Sequence, residues 1–315
     1  PIVYNLGQIF GAYFLAPRFG IHGLVYGVII GALLHLFVQI PALFKFGFHW
    51  TPSLNLRNTG LIEALKLLSP RLLTMGGIQA IVIIRDNLAS RLDNDGAVTA
   101  LTNGWQIMQV PETIIGTAVA TALLPTLAEF ASRADWTGFR TTIEKALRVL
   151  IALTLPVAAV MITGMAPLVR AFFSGFDEAT SQLILWTTRV YLLTLTGFVV
   201  HEVAARSFYA RKEPLFPLAA VALRLVMFVG IGVIAVTLFR EIGAPVIAFA
   251  EIAVLIEAVI LLTWLSNRTH EPIRVFSAVP RGIIAAAIGG VLAYLVAWLT
   301  PGGAVTTSLL GMTVG

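Results

Sequence analysis

Long apolar runs set the rhythm of this chain, and short polar stretches punctuate them. The runs fall at roughly 2–16, 24–44, 67–90, 97–129, 148–168, 181–203, 215–238, 244–265 and 279–299. About 20 apolar residues in a helix cross the hydrocarbon of a bilayer, and only helices or closed barrels satisfy their backbone groups there. The pattern therefore predicts an all-α, polytopic transmembrane helix bundle of about nine spans, the first of them short. One run breaks the pattern. Between 97 and 129, Thr99, Asn103, Gln106, Gln109, Thr113, Thr117 and Thr121 recur every three or four residues. That spacing gathers them in a stripe along one side of a helix. Pro111 interrupts the stripe as a helix break, and Pro125 lies near its end. Polar groups facing hydrocarbon cost free energy, so the stripe is expected to face protein or a wet cavity. Cavities lined by interrupted helices are the working parts of transporters.

The cations between the runs alternate in density. Lys45, Arg57, Lys66 and Arg71 lie on one side; so do Arg133, Arg140, Lys145 and Arg148, then Arg206, Arg211 and Lys212, then Arg268, Arg274 and Arg281. The intervening loops hold only Arg18, Arg91, Arg170 and Arg240. By the positive-inside rule the richer set is cytoplasmic. Residues 135–148 read either as a short amphipathic helix on that membrane surface or as a solvated helix extension.

Composition agrees with the runs: 58% of residues are hydrophobic, 12% are charged, and the mean hydropathy is +0.90. The net charge of +5 would permit nucleic acid as a partner. The basic residues sit in loops between spans rather than on one face, which argues against it. With no cysteine, disulfides, thiolate metal sites and cysteine nucleophiles are excluded. His201-Glu202 begins the H-E-x-x-H pattern, but position 205 is Ala205. No other metal, nucleophile or phosphate-loop motif is present, so neither a metal, a cofactor nor an enzymatic activity is expected. The chain starts at Pro1 inside an apolar run, and residues 300–315 also read as a cut end, so a fragment is expected.

Several polar residues fall within the runs. Asp86, with Gln79 seven residues earlier on the same face, is either a cavity acid or the partner of an arginine on another helix. Arg85 is expected to point elsewhere. Asn103, Gln106 and Gln109 either bind hydroxyls and amides in a cavity or bond across helices. Glu112 either lines the cavity or caps backbone groups freed by Pro111. Glu202 and Arg206 have the spacing of an intrahelical pair. Arg224 lies deep in its run and is a candidate for a phosphate, which guanidinium grips with two parallel bonds. Glu251 and Glu257 are about 240° apart on a regular helix and are expected to face different ways.

The residues between 98 and 130, VTALTNGWQIMQVPETIIGTAVATALLPTLAEF, resemble a segment of the MurJ/MviN lipid II flippases. Asp86-Asn87-Leu88-Ala89-Ser90 resembles the helix before it, and Phe208-Tyr209-Ala210-Arg211 with Pro214 and Pro217 resembles a family corner. Gln39-Ile40-Pro41 and Lys45-Phe46-Gly47 fit as well. The resemblance implies a multi-pass protein of the bacterial inner membrane that flips lipid-linked peptidoglycan precursor by alternating access. It divides the chain into the last two helices of a first lobe (1–45), a cytoplasmic loop (46–60), a second six-helix lobe (61–268) and a C-terminal helix pair (269–315). The implied partners are a lipid-linked pyrophosphoryl saccharide, membrane lipids and cell-wall synthesis proteins. The implied site is a cavity touched by Gln79, Asp86, Asn103, Gln106, Gln109, Glu112 and Arg224. One departure stands out: the family's basic residue five positions before the proline is Gln106 here, and a glycine two after it is Thr113. The alternatives are a polysaccharide-lipid or cation exporter of the same superfamily, or a non-transporting cell-wall scaffold.

Overall fold

The computed structural model describes residues 2–47, 59–92, 96–269 and 272–299, and every regular element among them is helical. The chain divides into two compact units, residues 1–58 and 59–315.

In the first unit, α1 (Ile2–Phe10) continues through a π-helical turn at Gly11–Leu15 into α2 (Ala16–Phe19) and turns back as α3 (Ile21–Lys45). Gly20 makes that turn with φ +57°, a conformation side chains resist. Gly7 and Gly11 face Gly31 and Gly27 so closely that a methyl on any of them would overlap backbone. Small residues at such spacing let membrane helices touch backbone to backbone.

The second unit is a helix bundle. α4 (Thr59–Ala89) is followed by α5 (Ala97–Pro111), a π-helical turn at Glu112–Thr117 and α6 (Ala118–Ser132), which together make one long bent span. Then come α7 (Trp136–Gly164), the short α8 (Ala166–Phe172), α9 (Glu178–Leu193) and α10 (Leu195–Ala210). α9 and α10 meet at a 45° bend. α11 (Leu215–Leu238), α12 (Ala244–Phe249), a 3₁₀ turn at Ala250–Ile252, α13 (Ala253–Thr269) and α14 (Val279–Leu299) complete it.

Seven helices among the described residues are long and apolar enough to cross a membrane, and the bent α9–α10 pair makes an eighth. The first run is helical too, from Ile2 to Phe19, and its shortness is what the sequence led us to expect. Residues 135–148 are not a separate surface helix. Asp135 caps the start of α7 by accepting from the Gly138 N–H at 2.8 Å, and α7 runs on unbroken to Gly164.

The core of this unit is built on α5, α7, α9, α10 and α11. Phe139, Leu147, Ile184, Tyr191, Phe208 and Phe228 are fully enclosed. α5 lies on α9, α4 on α11, α10 between α7 and α13, and α14 along α7. Gly104 sets the first contact, because its Cα faces Thr187 and Thr188 with almost no room for a side chain.

Candidate functional site

The α5–α6 span is two-faced. Leu101, Gly104, Met108, Pro111 and Gly116 are buried, whereas Gln106, Gln109, Thr113 and Thr121 are exposed. Trp105 locks the inner side edge-on against Tyr191 and Phe198, with ring centroids 5.5 and 5.1 Å apart. The polar stripe is thereby left on the exposed side of the unit, together with Val110 and Ile114. Asn103 donates to the Thr99 carbonyl at 2.8 Å, one turn back.

Pro111 has no N–H to give to the turn before it, and the helix answers with the π-helical segment Glu112–Thr117. The slower winding brings residues five apart onto one side. Thr117 Oγ1 thus donates to Glu112 Oε1 at 2.9 Å, while Thr113 Oγ1 lies 3.3 Å from Oε2. In a regular α-helix, positions five apart diverge by about 140°.

The stripe extends beyond its own helix. Arg206 on α10 donates to Thr121 Oγ1 at 2.6 Å and pairs with Glu202 at 3.0 Å. Glu202 in turn is within electrostatic reach of Glu112. Nearby, Arg71 on α4 lies over the Tyr209 ring, 5.5 Å from its centroid. A string of polar contacts therefore runs from Glu112 through Thr117 and Thr121 to Arg206, while Gln106, Gln109 and Thr113 are exposed on the same span beside Val110 and Ile114. The intrahelical Glu202–Arg206 pair follows the sequence spacing; the contribution of α10 to the face does not.

Other candidates are placed apart from this face. Gln79 is exposed on α4. Asp86 is half-buried and takes its own neighbour as partner: Arg85 Nη2 lies 2.8 Å from Asp86 Oδ1. The expectation that Arg85 points away fails because a guanidinium on a long stem folds back toward the adjacent carboxylate. Arg224 is 3% exposed, and its guanidinium is held by Glu251 at 2.6 Å and Glu257 at 3.4 Å. It also stacks over Phe198 at 4.8 Å. A phosphate would have to displace two carboxylates to reach it. The expectation that Glu251 and Glu257 diverge is corrected as well, since the 3₁₀ turn at Ala250–Ile252 changes the winding and both reach one guanidinium. His201 completes the cluster, with Nδ1 3.2 Å from Glu257 Oε1. Among the described residues, no group of three or more His, Cys, Asp or Glu is arranged to hold a metal.

Comparison with known proteins identifies the frame that carries these two features. The model of the lipid II flippase MurJ matches residues 1–314. The chain belongs to the MurJ lipid II flippase family. It is 32% identical over 75% of its length to a probable lipid II flippase MurJ of Rhizobium meliloti, covering 44% of that protein. To the lipid II flippase MurJ of Burkholderia cenocepacia it is 29% identical over 79% of its length, covering 48%. The chain thus spans about half the length of the curated relatives it matches. A solved structure of a lipid II flippase MurJ in an inward closed conformation superposes with a TM-score of 0.73, over 99% of this chain and 64% of that one, at 19% identity. The resemblance stated from sequence and the polytopic helical architecture both hold, and the chain is a multi-pass protein of the inner membrane. The family is one of transporters rather than catalysts.

Proposed function

We propose that this chain supplies one wall of the translocation cavity of a lipid II flippase. That wall is the polar face of α5, α6 and α10. The cargo is a lipid-linked pyrophosphoryl saccharide, carried from the cytoplasmic to the outer leaflet as two lobes rock about a site near the bilayer midplane. The observation that carries the reading is the string of polar contacts from Glu112 through Thr117 and Thr121 to Arg206, with the exposed amides of Gln106 and Gln109 on the same span of a MurJ-family bundle.

Each part of the wall suits a part of such a cargo. Asn103, Gln106 and Gln109 offer amides, which donate to and accept from sugar hydroxyls, whereas Gln79 on α4 stands apart from the wall. Arg206 and Arg71 offer guanidinium to the pyrophosphate. They stand in for the basic side chain that the family places where Gln106 lies. Glu112 holds the hydroxyls of Thr113 and Thr117 in place and keeps the bent segment ordered. Asp86 is tied to Arg85, apart from the wall. Arg224, sealed behind it, supports α10 and α13 rather than touching cargo. The division into lobes at 1–45, 61–268 and 269–315 accompanies this proposal, with membrane lipids around the bundle and cell-wall synthesis proteins as further partners.

The test is complementation. The full-length gene should rescue growth of cells depleted of their own lipid II flippase, and Arg206→Ala should abolish the rescue while normal amounts of protein stay in the membrane. Failure of the unaltered protein to rescue, despite insertion, would contradict the assignment.

A further inference from the structure

Behind the polar wall lies a charged cluster that cargo does not need. Arg224, Glu251 and Glu257 are 3%, 3% and 0% exposed, in a bundle that crosses a membrane. One guanidinium faces two carboxylates, so these three groups leave one negative charge in apolar surroundings. Burying an uncompensated charge is costly, and such groups take up a proton or a counter-charge instead. The fourth member, His201, is 7% exposed and can supply that charge. Its Nδ1 lies 3.2 Å from Glu257 Oε1, and neither atom makes a regular hydrogen bond among the described residues.

We propose that His201 and Glu257 share one exchangeable proton, and that this proton site sets how tightly α10 is held against α13. Loaded, the pair is an imidazolium beside a carboxylate, or equally an imidazole accepting from a carboxyl group. Either form makes the cluster neutral with Arg224 and Glu251. Unloaded, a neutral imidazole faces the Glu257 carboxylate and one net negative charge remains. That charge favours hydration and loosens the α10–α13 seam. The proton passes to and from water, and no other bond changes.

The surroundings support such a site. Arg224 reaches it from α11, and Glu251 from the turn before α13. Arg85 on α4 lines one small cavity with Glu251, and Tyr191 on α9 is within electrostatic reach of Arg85, Glu251 and Asp86. Arg85 and Asp86 neutralise each other. A cavity of about 20 Å³ lies between Arg85, Arg224, Trp105 and Glu251, room enough for one water. On the opposite side, Glu112 is within electrostatic reach of His201. The next residue after His201 is Glu202, which pairs with Arg206 on the wall. Two consecutive positions of one helix thus connect the proton site to the proposed cargo face.

Proton binding is read from the cluster alone, so it can fail without touching the flippase reading. The test uses the full-length protein in nanodiscs between pH 5 and 9. Histidine ¹⁵N signals, the carboxyl infrared band and amide-exchange protection factors of 195–210 and 253–269 are followed together. One histidine and one carboxyl change should share a midpoint, and protection of both helices should fall about tenfold or more as the proton leaves. His201→Gln with Glu257→Gln keeps the cluster neutral at every pH, so this double variant should fold and show protection without that step. A flat protection profile in the unaltered protein, or a step that survives in the double variant, would overturn the proposal.

Discussion

Two polar regions share α10 and follow opposite rules. On the open side, Glu202, Arg206, Thr121, Thr117 and Glu112 form a string of bonds among partly exposed groups. Behind it, His201, Glu257, Arg224 and Glu251 form a string of similar chemistry that is almost wholly enclosed. Partly exposed pairs are worth about 0–1 kcal/mol, because solvent competes for each partner. Removing one partner from a buried set costs about 3–5 kcal/mol, because a charge is stranded. The same residue types therefore serve stability in one place and, in the function proposed above, contact with cargo in the other.

The largest effect should come from the buried side. Arg224→Leu strands Glu251 and Glu257 and should cost about 3–5 kcal/mol, read as loss of monodisperse protein and a lower unfolding temperature in detergent. Replacing all three by apolar residues of similar size should restore much of that stability. If Arg224→Leu leaves the unfolding temperature unchanged, the contrast between the regions is lost. A smaller effect is expected where α5 meets α9. Gly104→Val puts a branched side chain 3.2 Å from the Thr188 backbone and should cost about 1–3 kcal/mol by the same measurement.

On the open side the readouts should reverse. Arg206→Ala should shift stability by no more than about 1 kcal/mol and yet abolish complementation. A large stability loss with intact complementation would make the wall structural. The smallest effect belongs to the Asp177 cap at the start of α9, outside the spans. The Thr180 hydroxyl and N–H hold the Asp177 carboxyl below its ordinary range. Its stabilisation is present above that range and is lost as pH falls through the lowered value. Amide protection factors over the first turn of α9, corrected for the intrinsic pH dependence of exchange, should therefore fall on acidification, and should already be low at neutral pH in Asp177→Ala.

The open region was largely legible in the sequence and the buried one was not, for a physical reason. The stripe on α5–α6 obeys a helical period, Pro111 announces its break, and Glu202 and Arg206 sit at pairing distance. Each is a local signal. Arg224 carries the same signal as a cavity cation, a lone arginine deep in an apolar run. What decides its role is Glu251 and Glu257, 27 and 33 residues away. A regular helical wheel separates those two acids, and the 3₁₀ turn that brings them together leaves no mark in the pattern. Arg85 was misplaced for a similar reason, since wheel geometry follows Cβ directions while a long side chain follows the nearest opposite charge. The helix bundle itself was legible because run length alone specifies a span. The extent of α7 was less so, because a solvated extension and a surface helix share one amphipathic pattern.

The central claim is that the row from Gln106 to Thr121 borders a watery chamber. It is tested most directly by single cysteines, since this chain has none of its own. Gln106→Cys, Gln109→Cys, Thr113→Cys and Thr121→Cys would be placed singly in the full-length protein, cleared of any other cysteine, in intact membranes. The account predicts fast labelling by a charged, water-soluble thiol reagent at all four, and none at Met108→Cys on the buried face. Labelling of the four only by a lipid-soluble reagent, or by neither, would contradict it.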